Sequence, residues 1–123
     1  MAGRARGFEA ENAACEYLKT QGYHIMQRNF TSRYGEIDII AYDEDILAFI
    51  EVRYRKNGGL VTPEESVSHD KIRRIKLTVR DYLGRFSTKW LTYAGIRIDL
   101  CAVTDNSSAG GFDFELLKGI VQF

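Results

Sequence analysis

Gly35-Glu36-Ile37-Asp38-Ile39-Ile40-Ala41-Tyr42-Asp43-Glu44-Asp45-Ile46-Leu47-Ala48-Phe49-Ile50-Glu51-Val52-Arg53-Tyr54-Arg55 is the stretch on which the fold turns. Residues 35–42 and 46–55 are rich in Ile, Val, Phe and Tyr, and only Asp43-Glu44-Asp45 separates them. That pattern predicts a β-hairpin. The second run is apolar at every position from 46 to 50, as in a strand covered on both faces. It then turns polar at Glu51, Arg53 and Arg55. Charge at the end of a buried strand needs a physical reason.

The hairpin register supplies a candidate. A two-residue turn at Glu44-Asp45 pairs Asp43 with Ile46 and carries Asp38 opposite Glu51 and Glu36 opposite Arg53; a four-residue loop over residues 43–46 gives the same pairs. Directly opposed residues share a face, with Cβ atoms roughly 4.5–5.5 Å apart. A three-residue loop would put the two carboxylates on opposite faces instead. Carboxylates that close repel and lose hydration, so a proton, a cationic side chain or a metal must compensate. A few carboxylates with waters and phosphate oxygens suit Mg²⁺ or Mn²⁺, and such an ion can activate water at a phosphodiester. The other reading is a salt-bridge network in which Arg53 and Arg55 neutralise Glu36, Asp38 and Glu51.

Working outward, residues 8–20 place Ala10, Ala13, Ala14, Tyr17 and Leu18 at helical spacing, and Gly22 is a stop. Residues 23–30 read as the first strand. After Gly58-Gly59, Thr62-Pro63-Glu64-Glu65 has helix-start chemistry, and Ser68 offers a second cap with Val67 and Ile72 spaced as a hydrophobic staple. A long helix is expected to about Phe86, burying Ile72, Ile75, Val79, Tyr82, Leu83 and Phe86. Residues 96–103 and 112–117 complete the sheet, with a loop over Ser107-Ser108-Ala109-Gly110-Gly111. The order α-β-β-β-α-β with a closing strand predicts a single α/β domain over residues 1–123, a mixed central sheet flanked by helices.

Composition narrows the class. At 45% hydrophobic and 28% charged, the 123-residue chain is neither disordered nor fibrous. Its apolar runs are too short to span a membrane, and the N-terminus lacks the apolar stretch of a signal peptide. Cys15 and Cys101 sit in apolar patterns and are expected as reduced core residues of a cytoplasmic protein. His24 and His69 read as a strand-end and a helix-cap residue, and Tyr34, Tyr42 and Tyr54 as sheet packing. No P-loop, dinucleotide fingerprint or cysteine–histidine metal spacing occurs.

Seventeen basic and 17 acidic residues cancel, which argues against binding a polyanion by net charge alone. The charge is nevertheless segregated. Arg4, Arg6, Arg28, Arg33, Arg53, Arg55 and Lys56 precede a dense run of Lys71, Arg73, Arg74, Lys76 and Arg80. On the long helix Arg73, Lys76 and Arg80 form one stripe, with Lys71 and Arg74 elsewhere around it. Such a stripe is either a solvated face or a contact for nucleic-acid phosphates.

Residues 35–41, 49–55 and 71–74 closely resemble the YraN-type family of bacterial proteins. Gly7-Phe8-Glu9 with Ala10, Ala13 and Tyr17-Leu18, then Gly22-Tyr23 and Arg28-Asn29, fit the same family. The likeness covers nearly the whole chain. It implies a restriction-endonuclease-like fold, similar to archaeal Holliday-junction resolvases, and an Asp…Glu-x-Lys nuclease centre using Mg²⁺ or Mn²⁺. Asp38 and Glu51 match the two metal-holding acids and Glu9 the additional helical carboxylate. Glu36 is expected to support them from outside, or to pair with Arg53. Arg33, Arg55, Lys71, Arg73, Arg74, Lys76 and Arg80 are the expected phosphate contacts. Where the motif has lysine this chain has Arg53, which stays protonated and cannot be a general base, though it can stabilise negative charge in a transition state. Lys56 and Lys71 are the candidates to take the lysine's place. The expectation is a metal-dependent nuclease acting on DNA, including branched DNA, as a two-fold homodimer by analogy with resolvases. The alternatives are a nucleic-acid-binding module without turnover and an interaction protein whose charges merely pair.

Overall fold

In the computed structural model, which describes residues 2–56, 67–86, 91–106 and 110–121 with side chains from residue 6 onward, the doubly apolar strand lies in the middle of a five-stranded sheet. Strands β1 (Tyr23–Ser32), β2 (Gly35–Asp43), β3 (Ile46–Arg55), β4 (Gly95–Asp105) and β5 (Phe112–Leu117) lie side by side in sequence order. The pairs β1–β2, β2–β3 and β4–β5 are antiparallel and β3–β4 is parallel. A parallel neighbour requires a crossover, and the helix α2 (His69–Phe86) lies on that connection. The helix α1 (Ala2–Thr20) precedes the sheet. The result is an α/β fold with one helix packed on each face.

Side-chain alternation divides the core. On the α1 side Ala10, Ala14, Cys15 and Leu18 pack on Ile39, Ala41, Ala48, Ile50, Cys101 and Val103. On the α2 side Ile75, Val79 and Tyr82 pack on Ile40, Leu47, Phe49, Ile98 and Leu100. Leu47, Ala48, Phe49 and Ile50 are all fully buried, so β3 feeds both layers. Each such large apolar side chain contributes about 1.5–3 kcal/mol by leaving water.

Several boundaries differ from those expected, each with a cause. The first helix begins six residues before residue 8. There Arg6 reaches across to Asp105 and to the Gly110 and Gly111 carbonyls, and its guanidinium lies over the Phe112 ring. These partners lie far along the chain and invisible to helical periodicity. Ser68 caps α2 by accepting the Lys71 N–H at 3.1 Å, and Val67 and Ile72 pack in one cluster as a staple does. The helix-start motif at residues 62–65, the Gly58-Gly59 break and residues 107–109 of the expected loop lie outside the described residues. Phe86, expected in the buried stripe, is 42% exposed although it still meets Phe30 and Tyr82. Cys15 and Cys101 are buried free thiols, and burial pushes Cys101 up to about 12.

The turn at Glu44-Asp45 sets the expected register, with Asp43 opposite Ile46 and Ile39 opposite Ile50. The ladder ends there, one row short of Asp38 and Glu51. The neighbouring β1–β2 ladder has a bulge at Met26 and also skips one row, passing from Arg28↔Ile39 to Phe30↔Ile37. The skipped row is Asn29 and Asp38. Asn29 has a φ of 55°, a left-handed backbone in the middle of a strand.

Candidate functional site

Asp38 replaces a ladder bond with its own side chain, since its carboxylate accepts the Val52 N–H at 2.7 Å. This anchors the carboxyl in the gap between β2 and β3, next to Glu51, which is 8% exposed. Burial and the hydrogen bond shared with Glu51 push the Asp38 carboxyl up to about 8, with the Val52 N–H and Lys71 pulling the other way. Burial beside Glu51 thus favours a proton on Asp38 toward neutral pH. Two carboxyls crowded together in this way also favour a cation between them.

Lys71 brings a cation to the pair. Its ammonium stands 3.3 Å from Glu51, reaching down from the first turn of α2, where Ser68 fixes the backbone. The sequence offered Lys71 both as a phosphate contact and as a substitute for the motif lysine; the structure places its side chain beside Glu51, whereas Lys56 is exposed. Glu36, two residues before Asp38, is exposed, and burial, Asp38 and Glu11 raise its pKa while Lys71 lowers it. Glu36 pairs with Thr31 across the β1–β2 ladder. Its expected row opposite Arg53 lies beyond the end of the β2–β3 ladder.

Two glutamates of α1 face different ways. Glu9 is 58% exposed and bound to Arg6 at 2.8 Å, in the cluster that ties α1 to Asp105. Glu11 faces the sheet instead. It is 19% exposed, accepts from Arg28 Nη2 at 3.1 Å, and lies close enough to Glu36 to raise its pKa. The sequence carried the signal, because Glu11 shares a stripe with Cys15 and Leu18 at i+4 and i+7, whereas Glu9 lines up with exposed Glu16. Arg28 Nε is buried without a hydrogen-bond partner. No group of three or more His, Cys, Asp or Glu side chains converges tightly enough to cage a metal among the described residues. What the fold brings together is an acid pair.

Arg53 follows Glu51 by two residues on the same strand face and is partly buried, as is Arg55. Lys56 is exposed at the strand end. On α2, Arg73 and Arg74 are 67% and 51% exposed and both bind Asp70, while Arg80 is exposed and Lys76 partly so. Arg33 is exposed in the β1–β2 turn, where it donates to the Tyr34 hydroxyl at 2.7 Å. Gly35 of that turn lies so close to α2 that an added Cβ would stand 3.4 Å from Thr78 Oγ1 and 3.8 Å from Arg74 Cβ. Arg33 thus lies at the edge of the sheet beside α2, where Asp81 acts on its charge.

A second polar cluster lies at the opposite end of the sheet. Asp99, fully buried, accepts from Tyr23 Oη, Arg97 Nε and the Gly119 N–H at 2.8, 2.7 and 2.9 Å. Arg97 and Lys118 both reach Asp43, holding its carboxyl below the usual range. Every carboxylate in this cluster is paired, and it reads as a structural clamp on residues 118–121. Among the described residues, no helix is long and apolar enough to cross a membrane.

Residues 10–103, which include Glu11, Arg28, Asp38, Glu51 and Lys71, match the sequence profile described as Uncharacterised protein family UPF0102. A UPF0102 protein of Persephonella marina is 41% identical over 102 residues, covering 83% of this chain and 85% of its own. One from Dichelobacter nodosus is 43% identical over 121 residues, covering 98% and 92%. On this extent of similarity the chain belongs to the UPF0102 family.

Proposed function

We propose that this protein is a divalent-metal-dependent nuclease acting on DNA phosphodiesters, with a core of the restriction-endonuclease-like type and YraN-type kinship. The observation that carries the proposal is the pairing of half-buried Asp38 with buried Glu51 where the β2–β3 ladder has ended, an arrangement that raises the Asp38 carboxyl to about 8. The donor set fits Mg²⁺ or Mn²⁺: two carboxylates, hard oxygen donors that such an ion would supplement with waters and phosphate oxygens. Asp38 and Glu51 would hold the ion, with Glu11 and Glu36 adding negative potential nearby. The ion supplies Lewis acidity toward phosphate oxygens and lowers the pKa of bound water.

The chain's own residues divide the remaining work. Lys71, 3.3 Å from Glu51, would take the part of the motif lysine. Arg53 offers fixed positive charge to the phosphate. Arg33, Arg73, Arg74, Lys76 and Arg80 would position a duplex backbone without sequence readout. A two-fold homodimer would present two such sites to branched DNA.

A screen of linear and four-way-branched DNA with Mg²⁺ or Mn²⁺ tests this proposal. Cleavage by the native protein that disappears in Asp38→Asn and Lys71→Met supports it. The second reading, a nucleic-acid-binding module without turnover, is favoured by arginine at position 53. Salt-sensitive DNA binding with no cleavage under any metal would select it.

A further inference from the structure

We propose that Asn29 is a positioning residue, whose left-handed backbone throws Asp38 out of the sheet ladder and against Glu51. The inference rests on the metal-site reading above.

In a regular strand, residues two apart share a face. Here they do not, in two adjacent strands and at the same row. On β1, Arg28 reaches Glu11 on the α1 side, while Phe30 packs on Tyr82 and Phe86 on the α2 side. On β2, Ile39 belongs to the α1-side core and Ile37 to the α2-side core. Both reversals flank the skipped row, which contains Asn29 with its φ of 55° and Asp38. A flat β1–β2 ladder would hold Asp38 by its backbone and keep the alternation. The kink releases it, and its carboxylate takes the Val52 N–H at 2.7 Å, where the β2–β3 ladder has ended. Left-handed backbone costs most residues roughly 1–2 kcal/mol, and asparagine is among the few that adopt it readily. Such strain clusters where a site needs an otherwise unfavourable geometry.

The test compares Asn29→Gly, which keeps the left-handed option and drops the amide, with Asn29→Ala and Asn29→Val, which oppose it. The first readout is hydrogen exchange at the Val52 amide in metal-free protein, with the Leu100 amide as the reference for global opening. The second is Mn²⁺ affinity by calorimetry. The expected result is that the glycine variant matches the native protein in both, while alanine and valine lose Val52 protection relative to Leu100 and bind Mn²⁺ at least about tenfold more weakly. If the valine variant does not fold, alanine alone carries the comparison. Native-like Val52 protection in alanine and valine overturns the proposal; so does a glycine variant as impaired as valine, since the side-chain amide would then be the cause. If no variant nor the native protein binds Mn²⁺, the metal reading falls, while Val52 exchange still decides the role of Asn29.

Discussion

Replacing Asp38 with asparagine is predicted to flatten the pH dependence of folding stability between pH 5 and pH 8. In the metal-free protein the Asp38 carboxyl is raised from 3.8 to about 8 by burial and by Glu51. Between those values the native state holds a proton that the unfolded chain has released, so stability falls as pH rises. Below pH 4 both states are protonated and the penalty vanishes; above pH 8 it is complete. About three pH units of that window lie between pH 5 and 8, and at ~1.36 kcal/mol per unit the native protein would lose up to about 4 kcal/mol. Asparagine preserves the acceptor for the Val52 N–H, can donate to Glu51 and does not titrate. The variant should therefore match the native protein within ~1 kcal/mol at pH 5 and exceed it by ~2–4 kcal/mol at pH 8. Urea unfolding at half-unit pH intervals, with chelator present, measures it. Parallel curves for the two proteins would refute the claim that Asp38 keeps its proton toward neutral pH.

Three further outcomes are expected. Asp99→Ala removes the buried acceptor of the Tyr23 hydroxyl, Arg97 Nε and the Gly119 N–H, leaving Arg97 only Asp43, and should cost ~3–5 kcal/mol in urea unfolding. Glu44→Gly relieves a φ of 55° in the β2–β3 turn and should add roughly 0.5–1 kcal/mol without altering Mn²⁺ binding. Arg6→Ala removes the tie to Asp105, Gly110 and Gly111, so backbone amides at the start of α1 should exchange faster while those of β3 keep their protection.

The legible parts of the sequence were those whose cause is local. Alternation and a two-residue turn fix β2 and β3, and so the register that draws Asp38 toward Glu51. Ser68 with Val67 and Ile72 fixes the start of α2. What escaped was decided by distant partners or by helix phase. Arg6 lengthens α1 by contacts 99 or more residues away. Glu9 and Glu11 lie two residues apart and face different ways, which only the stripe shared with Cys15 and Leu18 discriminates. Between Lys56 and Lys71, both offered by the sequence for the motif lysine, helix phase decides, because Ile75 and Thr78 at i+4 and i+7 of Lys71 are buried and turn it inward. The kink at Asn29 leaves no mark in hydrophobic alternation, since it is a backbone event expressed only through the facing strand.

The most direct test of the acid pair is a Mn²⁺ titration by calorimetry of the native protein beside the Asp38→Asn/Glu51→Gln double variant. The metal-centre reading predicts binding by the native protein, with proton release near neutral pH as Asp38 gives up its proton, and none by the variant. Equal binding by both proteins, or no binding by either even with DNA present to supply phosphate oxygens, would contradict it and leave Asp38, Glu51 and Lys71 as a buried structural ion cluster.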